Sequence, residues 1–280
     1  MAISFKKFIR DLSLPSRRGG AGLEQRSYSD FEEALRVSSS AGYARDDLVR
    51  VIVAKTLRHR DQLSRTRFLD LATAQSLLGL AARDRGHTFR VLDFGGGAGI
   101  HYFQSLALLG SGIDIQWNVV ETPEMVDAAS VQLGNDRLKF FTSVEAAVGD
   151  LEEVELVISN SSLPYTPDPF VYLEELLAVQ ADHVYITRTP LGDNLGPEIY
   201  IQHSKLSQNG PGSLPEDYVD GDVQYPITIV NRQAFELKMK NQYSVRFWSG
   251  EDSSRFLRGV GVMQNYSYFL DSINLNSGVH

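Results

Sequence analysis

The chain has 280 residues, 42% of them hydrophobic, and no cysteine, which excludes disulfides, thiolate metal sites and a cysteine nucleophile. Its net charge of -8 is uneven: residues 1–68 carry 14 Lys and Arg against 8 acids, and residues 69–280 carry 13 against 27. An acidic main body argues against a nucleic-acid substrate, which needs a basic groove, while the basic first part suits an anionic surface or a solvated helical face.

In chain order, residues 1–12 place Phe5, Phe8, Ile9 and Leu12 on one side of a short amphipathic helix. No apolar run reaches membrane-spanning length, and the start lacks the apolar core of a signal peptide. The expectation is a cytoplasmic protein without membrane insertion. Ser13–Gly22, with Pro15 and the glycines at 19, 20 and 22, reads as a linker. Ser29 and Glu32 fit a capping box for a helix running to about Val37. Asp46 and Asp47 open a second helix with an apolar stripe of Leu48, Val51, Ile52 and Leu57, and a third is expected over Arg67–Arg85. Residues 1–87 therefore read as an all-helical cap or arm.

From Phe89 onward strands and helices alternate. Strands are expected at Phe89–Asp93, Ile113–Val120, Leu138–Phe141, Val154–Ser159 and His183–Thr187. Helices fill the gaps: 100–109, one capped by Thr122-Pro123 and ended by Gly134, a weak one at Val144–Val148, and Phe170–Val179 capped by Asp168-Pro169. A long irregular stretch, 192–226, reads as a lid inserted in the domain 88–280. A helix from Asn231 to Lys240 follows, then strands Tyr243–Trp248 and Val262–Leu270 joined by a loop, which suits antiparallel neighbours. The fold class is α/β: a Rossmann-like, seven-stranded, mostly parallel sheet with a terminal antiparallel hairpin.

The stretch Phe89–His101, F-R-V-L-D-F-G-G-G-A-G-I-H, passes from strand through a glycine turn into a helix. That geometry brings backbone N–H groups and a helix N-terminus to a ligand. The dinucleotide pattern G-x-G-x-x-G fails, because its third glycine would fall on Ile100 or Tyr102. The phosphate-loop pattern fails too, since no Lys follows the glycines. A tight turn with no ligand is the plain alternative.

The run Asp93-Phe94-Gly95-Gly96-Gly97-Ala98-Gly99 resembles the first motif of class I S-adenosylmethionine-dependent methyltransferases. Over roughly Ser27–Ser272 the chain resembles more closely a little-characterised bacterial family, regarded as methyltransferases and often associated with surface-polysaccharide genes. The shared features are the glycine turn followed by His101-Tyr102, the W-x-V-V-E strand Trp117–Glu121, and Ser-Ser-Leu-x-Tyr at 161–165. The resemblance implies S-adenosylmethionine as cofactor and methyl transfer to a small-molecule or saccharide-linked acceptor, with oxygen as the expected acceptor atom.

Under that resemblance Gly95, Gly96, Gly97 and Gly99 let backbone approach the amino-acid end and ribose, where a Cβ would collide. Asp93 either orders the turn or accepts from the cofactor's ammonium group. Glu121, ending the second strand, accepts from the ribose hydroxyls or is an ordinary acid at a helix start. Thr122, Thr142 and Ser143 lie where adenine is expected, although the acid often found there is missing. Asn160 and Ser161 would contact the methionine part.

Methyl transfer is an in-line displacement that needs a positioned nucleophile and, for a hydroxyl, a base. Three residues are candidates for the reaction centre. Tyr165 faces the methyl group or the acceptor, or packs in the core. Arg188 pairs with an anionic acceptor such as a phosphate or carboxylate, or forms a surface ion pair. His203, in the 192–226 segment with Glu198, Tyr200, Tyr218 and Tyr225, is the general-base candidate or a solvated residue. His101 reads as a packing or cofactor-adjacent residue, and no spacing makes a metal site. Two other readings stand beside this one: a catalytically silent protein that binds the cofactor or serves assembly, and a nicotinamide-dependent oxidoreductase. A homo-oligomer is left open.

Overall fold

The computed structural model describes residues 22–24, 26–38, 42–63, 87–109, 114–251, 255–257 and 260–273. The helices expected over 1–12 and 67–85, and most of the 13–22 linker, lie outside those residues. Among the described residues, no helix is long and apolar enough to cross a membrane.

A central sheet carries the fold. Strands β2 (Phe89–Phe94), β3 (Ile115–Val120), β4 (Leu138–Phe141), β5 (Leu156–Asn160) and β6 (His183–Gly192) run parallel in the order β4-β3-β2-β5-β6. Beyond β6 lies β11 (Gly261–Ser272), antiparallel to it, and then β9 (Tyr243–Gly250), antiparallel to β11. This is the mostly parallel seven-stranded sheet with an antiparallel hairpin expected from the alternation of strands and helices. A short strand, β10 (Arg255–Leu257), pairs with β11 where only a loop is expected.

Side chains alternate across the sheet because the strand period is two. Val91, Trp117, Val119, Leu156, Ile158 and Tyr185 face helices α2 (Asp46–Leu63), α3 (Ile100–Leu109) and α4 (Pro123–Leu133). Leu92, Phe94, Val157, Val184 and Ile186 face α5 (Val144–Leu151), α6 (Pro169–Ala178) and α7 (Arg232–Met239). Caps fix where these helices begin. Thr122 Oγ1 accepts from Met125 N, Ser143 Oγ from Ala146 N, Asp168 from Phe170 N and Val171 N, and Asn231 from Ala234 N. Each such cap contributes about 1 kcal/mol.

Three expectations are corrected. The N-terminal cap of α1 (Phe31–Val37) is Asp30, whose carboxylate accepts from Glu33 N. Reciprocity comes from Glu33, which accepts from Ser29 N at 3.3 Å and Ser29 Oγ at 2.6 Å, so the Ser29–Glu32 box is shifted by one residue. The N-terminal part is also not all helical. Strand β1 (Gly22–Leu23) pairs with β7 (Glu198–Lys205), and Tyr28 bridges to Ile199.

Finally, the 192–226 stretch is not irregular throughout. It holds β7 and the start of β8 (Asp222–Asn231), an antiparallel pair in full register from Glu198↔Ile229 to Lys205↔Asp222. β8 joins the central sheet through the end of β6, at Leu191↔Val230 and Gly192↔Asn231. Its own run D-V-Q-Y-P-I-T-I-V-N is β-branched and aromatic, and Pro226 needs no ladder donor opposite Ile201 in order to sit there.

Candidate active site

The chain order reverses about β2: β3 and β4 lie to one side of it, β5 and β6 to the other. In open parallel sheets, ligands bind outside the carboxyl ends of the strands at such a switch point. A cavity of about 960 Å³ opens there, lined by the glycine turn, the ends of β3 to β6, α2 and the β7–β8 pair.

One side of the cavity is built from backbone. Gly95, Gly97 and Gly99 have φ of +68°, +58° and +76°, left-handed values that a residue with a Cβ adopts at a cost of about 1–2 kcal/mol. A Cβ on Gly95 would lie 2.2 Å from Ser162 Cβ. Ser162 Oγ donates to Phe94 O at 2.6 Å and shares a hydrogen bond with Ser159 Oγ, so the turns after β2 and β5 are stitched together.

Glu121 closes this side. Its Oε1 accepts from Gly97 N at 2.9 Å and its Oε2 from Thr122 N at 3.0 Å. Burial pushes its carboxyl above the ordinary range, against the downward pull of those two N–H groups. Each oxygen keeps a lone pair for a hydroxyl donor. Beyond it, Thr122, Thr142, Ser143, Met125 and Val144 line a slot with apolar walls and hydroxyl edges.

The other side is aromatic and polar. Tyr43, Tyr165 and Tyr225 pack together with ring centroids 4.4–5.3 Å apart. Tyr165 Oη donates to Gln202 Oε1 at 3.2 Å, and Tyr225 Oη to Asn209 Oδ1 at 3.3 Å. Burial pushes the Tyr165 phenol up to about 12, with the neighbouring Tyr225 adding to the shift. Burial likewise puts Tyr43 well above its usual value. Both phenols stay protonated at neutral pH and act as donors. The buried Lys55 of α2 donates to the carbonyls of Ser207 and Asn209, which ties the 206–210 segment over the cavity.

Between the two sides runs a hydrogen-bonded chain. Asp93, fully buried, accepts from Trp117 Nε1 at 3.1 Å and pairs with His101 Nδ1 at 2.9 Å. His101 Nε2 meets Asn160 Nδ2 at 2.8 Å, and Asn160 Oδ1 accepts from Arg188 Nε at 2.9 Å.

Of the residues singled out from sequence, Gly95, Gly96, Gly97, Glu121, Thr122, Thr142, Ser143, Asn160, Ser161, Tyr165 and Arg188 all line this one cavity. Three do not. Asp93 sits beneath the turn, fully buried, where a Cβ on Gly96 would strike its carboxylate, and it is not on the cavity wall. Gly99 faces away; a Cβ there would press on Leu138 at 3.0 Å, so its role is packing of helix against sheet. His203 is overturned as a base by strand alternation. Its neighbours Gln202 and Ser204 line the cavity, whereas His203 points to the other face and pairs with Glu24 at 2.9 Å.

Tyr43, Gln202 and Asn209 line the cavity without any local motif to mark them in the sequence, and His101 has more contacts here than a packing residue needs. The signal available for His101 was its place two residues after the glycine turn.

No protein-family model matches the chain, and no curated protein matches it significantly. Solved structures of similar shape include the N-terminal domain of EvdMO1 with SAH bound, 15% identical over 71% of this chain and 81% of that one, with a TM-score of 0.42. An S-adenosylmethionine-dependent methyltransferase from Clostridium acetobutylicum is 12% identical over 78% and 98%, with a TM-score of 0.48. CalS10 from Micromonospora echinaspora, an amino pentose methyltransferase, is 12% identical over 76% and 96%, with a TM-score of 0.40. At these identities and scores the likenesses are of broad shape, and none bears on what this chain binds.

Proposed function

We propose that this chain is a methyltransferase that binds S-adenosylmethionine on the glycine-turn side of the cavity and acts on a small-molecule or saccharide-linked acceptor held on the tyrosine side, with oxygen as the acceptor atom. One observation carries the reading: a single cavity joins a glycine turn and a strand-end carboxylate to an aromatic, hydroxyl-rich wall.

The donor set suits such a group. Glu121 offers two oxygens to a ribose diol, and the Thr122–Met125–Val144 slot with Thr142 and Ser143 suits a flat heterocycle. Asn160 and Ser161 border the amino-acid end. S-adenosylmethionine, when bound, supplies an electrophilic methyl group on sulfur. The chain's own residues then orient the acceptor and exclude water, which is the main catalytic contribution to an in-line displacement. Tyr165, its phenol held protonated and donating to Gln202, positions the acceptor and does not take its proton. Helix α2 with the 206–221 segment covers the cleft.

Titration calorimetry with S-adenosylhomocysteine tests the assignment. Glu121→Ala should weaken binding about tenfold to a hundredfold, the scale of hydrogen bonds to a charged group, and Gly97→Leu should weaken it as strongly. Unchanged affinity in both variants overturns the site. A second reading, a silent cofactor binder, is favoured by His203 lying off the cavity. Methyl-donor turnover across hydroxylated acceptors separates the two. A thermal shift with NADH but none with S-adenosylhomocysteine would return the nicotinamide reading.

A further inference from the structure

The chain Asp93–His101–Asn160–Arg188 has a direction set by its donors and acceptors. An Nδ1–H imidazole donates to Asp93, which leaves Nε2 free to accept from the Asn160 amide nitrogen. That orientation turns the Asn160 oxygen outward, where it accepts from Arg188 Nε. Asn160→Leu would break this hydrogen-bonded chain at its middle, and His101→Phe would remove its source.

What the chain holds is a guanidinium with capacity to spare. Only Nε of Arg188 is engaged, and its two terminal nitrogens have no partner among the described residues. Among those residues Arg188 is also the one Lys or Arg on the cavity wall. Its backbone is left-handed, with φ +52°, a state that costs a residue with a Cβ free energy and survives where the surroundings impose it. Here they do. The register of β6 against β11 shifts between Tyr266 and Tyr268, and Ser267 Oγ binds both Arg188 N at 3.2 Å and Thr187 Oγ1 at 2.8 Å. A bulge re-aims a side chain, and this one brings the cation close enough to Tyr165 to oppose the upward shift of that phenol.

We infer that Arg188 is an oxyanion-binding residue of the cavity, and that His101 is a positioning residue that sets it through Asn160. A planar guanidinium held at Nε presents its remaining N–H groups to a carboxylate or phosphate as a fork. The anion has two sources: the carboxylate of the proposed cofactor, or an anionic group on the acceptor. The first of these rests on the cofactor reading; the second does not.

Calorimetry on the wild type, Arg188→Gln, Asn160→Leu and His101→Phe separates them, using S-adenosylhomocysteine, 5′-methylthioadenosine, which lacks the carboxylate, and inorganic phosphate. If the cofactor is the source, Arg188→Gln lowers S-adenosylhomocysteine affinity about tenfold to a hundredfold and spares methylthioadenosine. If the acceptor is, phosphate binding falls by that factor and both nucleosides are spared. In either case Asn160→Leu and His101→Phe reproduce at least about threefold of the loss, on the same ligand only; a merely structural defect would weaken all ligands alike. Asn160→Leu carries this test if His101→Phe fails to fold. An Arg188→Gln protein with all three affinities unchanged overturns the oxyanion site. Unchanged anion affinity in Asn160→Leu, beside a loss in Arg188→Gln, overturns the positioning role. Wild type that binds neither nucleoside refutes the cofactor reading instead, and phosphate titration of the free protein then still decides on Arg188.

Discussion

The two sides of the cavity are made in different ways. The glycine-turn side is backbone, closed by contacts between residues near one another on adjacent strand ends, and its parts occupy short runs: 94–98, 121–123, 142–143 and 160–162. The tyrosine side is side chain. Tyr43 comes from the turn before α2, Tyr165 from the turn after β5 and Tyr225 from β8, and they meet only when the chain has folded. A backbone site tolerates few changes and reads the same group each time; a side-chain site is altered residue by residue. That division suits a constant cofactor on one side and a variable acceptor on the other.

The sharpest attack on this contrast is Gly95→Ala. Its Cβ would meet Ser162 Cβ at 2.2 Å with φ at +68°, so a stability loss of about 2–4 kcal/mol is expected in urea unfolding. Gly97→Ala, whose Cβ would find only Ile52 Cγ2 at 3.6 Å, should lose about 1–2 kcal/mol from the backbone alone. Equal losses would show that this side is not the tightly fitted one.

Tyr225→Leu probes the other side. Losing two ring contacts should cost about 1–2 kcal/mol of stability and reduce methyl-transfer turnover more than tenfold, with S-adenosylhomocysteine affinity held within about twofold. An equal fall in nucleoside affinity would dissolve the distinction between the sides.

A subtler effect comes from Glu121. Its folded pKa is raised by burial, so the stability it contributes is fully present below the unfolded value and is lost as pH rises through the folded one. The stability difference between wild type and Glu121→Ala, without ligand, should therefore shrink from pH about 4 to pH about 8. A difference that grows with pH would mean that the two backbone N–H groups outweigh burial. The smallest effect belongs to His203→Ala. A half-exposed pair with Glu24 is worth about 0–1 kcal/mol, and turnover should be unchanged.

The same contrast explains what the sequence could convey. Strand ends, caps and the glycine turn follow local rules, so Phe89–Asp93, the turn after it and the caps Thr122 and Asp168 were legible. The β7–β8 pair was not, because Pro226 and the Asn209–Val219 connection resemble loop chemistry, and its pairing depends on the end of β6. His203 shows the same limit. Its chemistry is visible in sequence, but its direction depends on a strand that was not foreseen. The contacts of His101 are hidden in the sequence because Asn160 and Arg188 lie far along the chain.

The pairing of Gly22 with His203 also bears on how the molecule assembles. The pairings within the parallel core span shorter stretches of chain than β1–β7 and the Tyr43–Tyr225 contact, which close loops spanning most of the chain, and the longer closures are the slower ones. The tyrosine wall should therefore be acquired late in refolding, after the nucleoside pocket exists, so that ligand present during refolding would find its half of the site before the other half is complete.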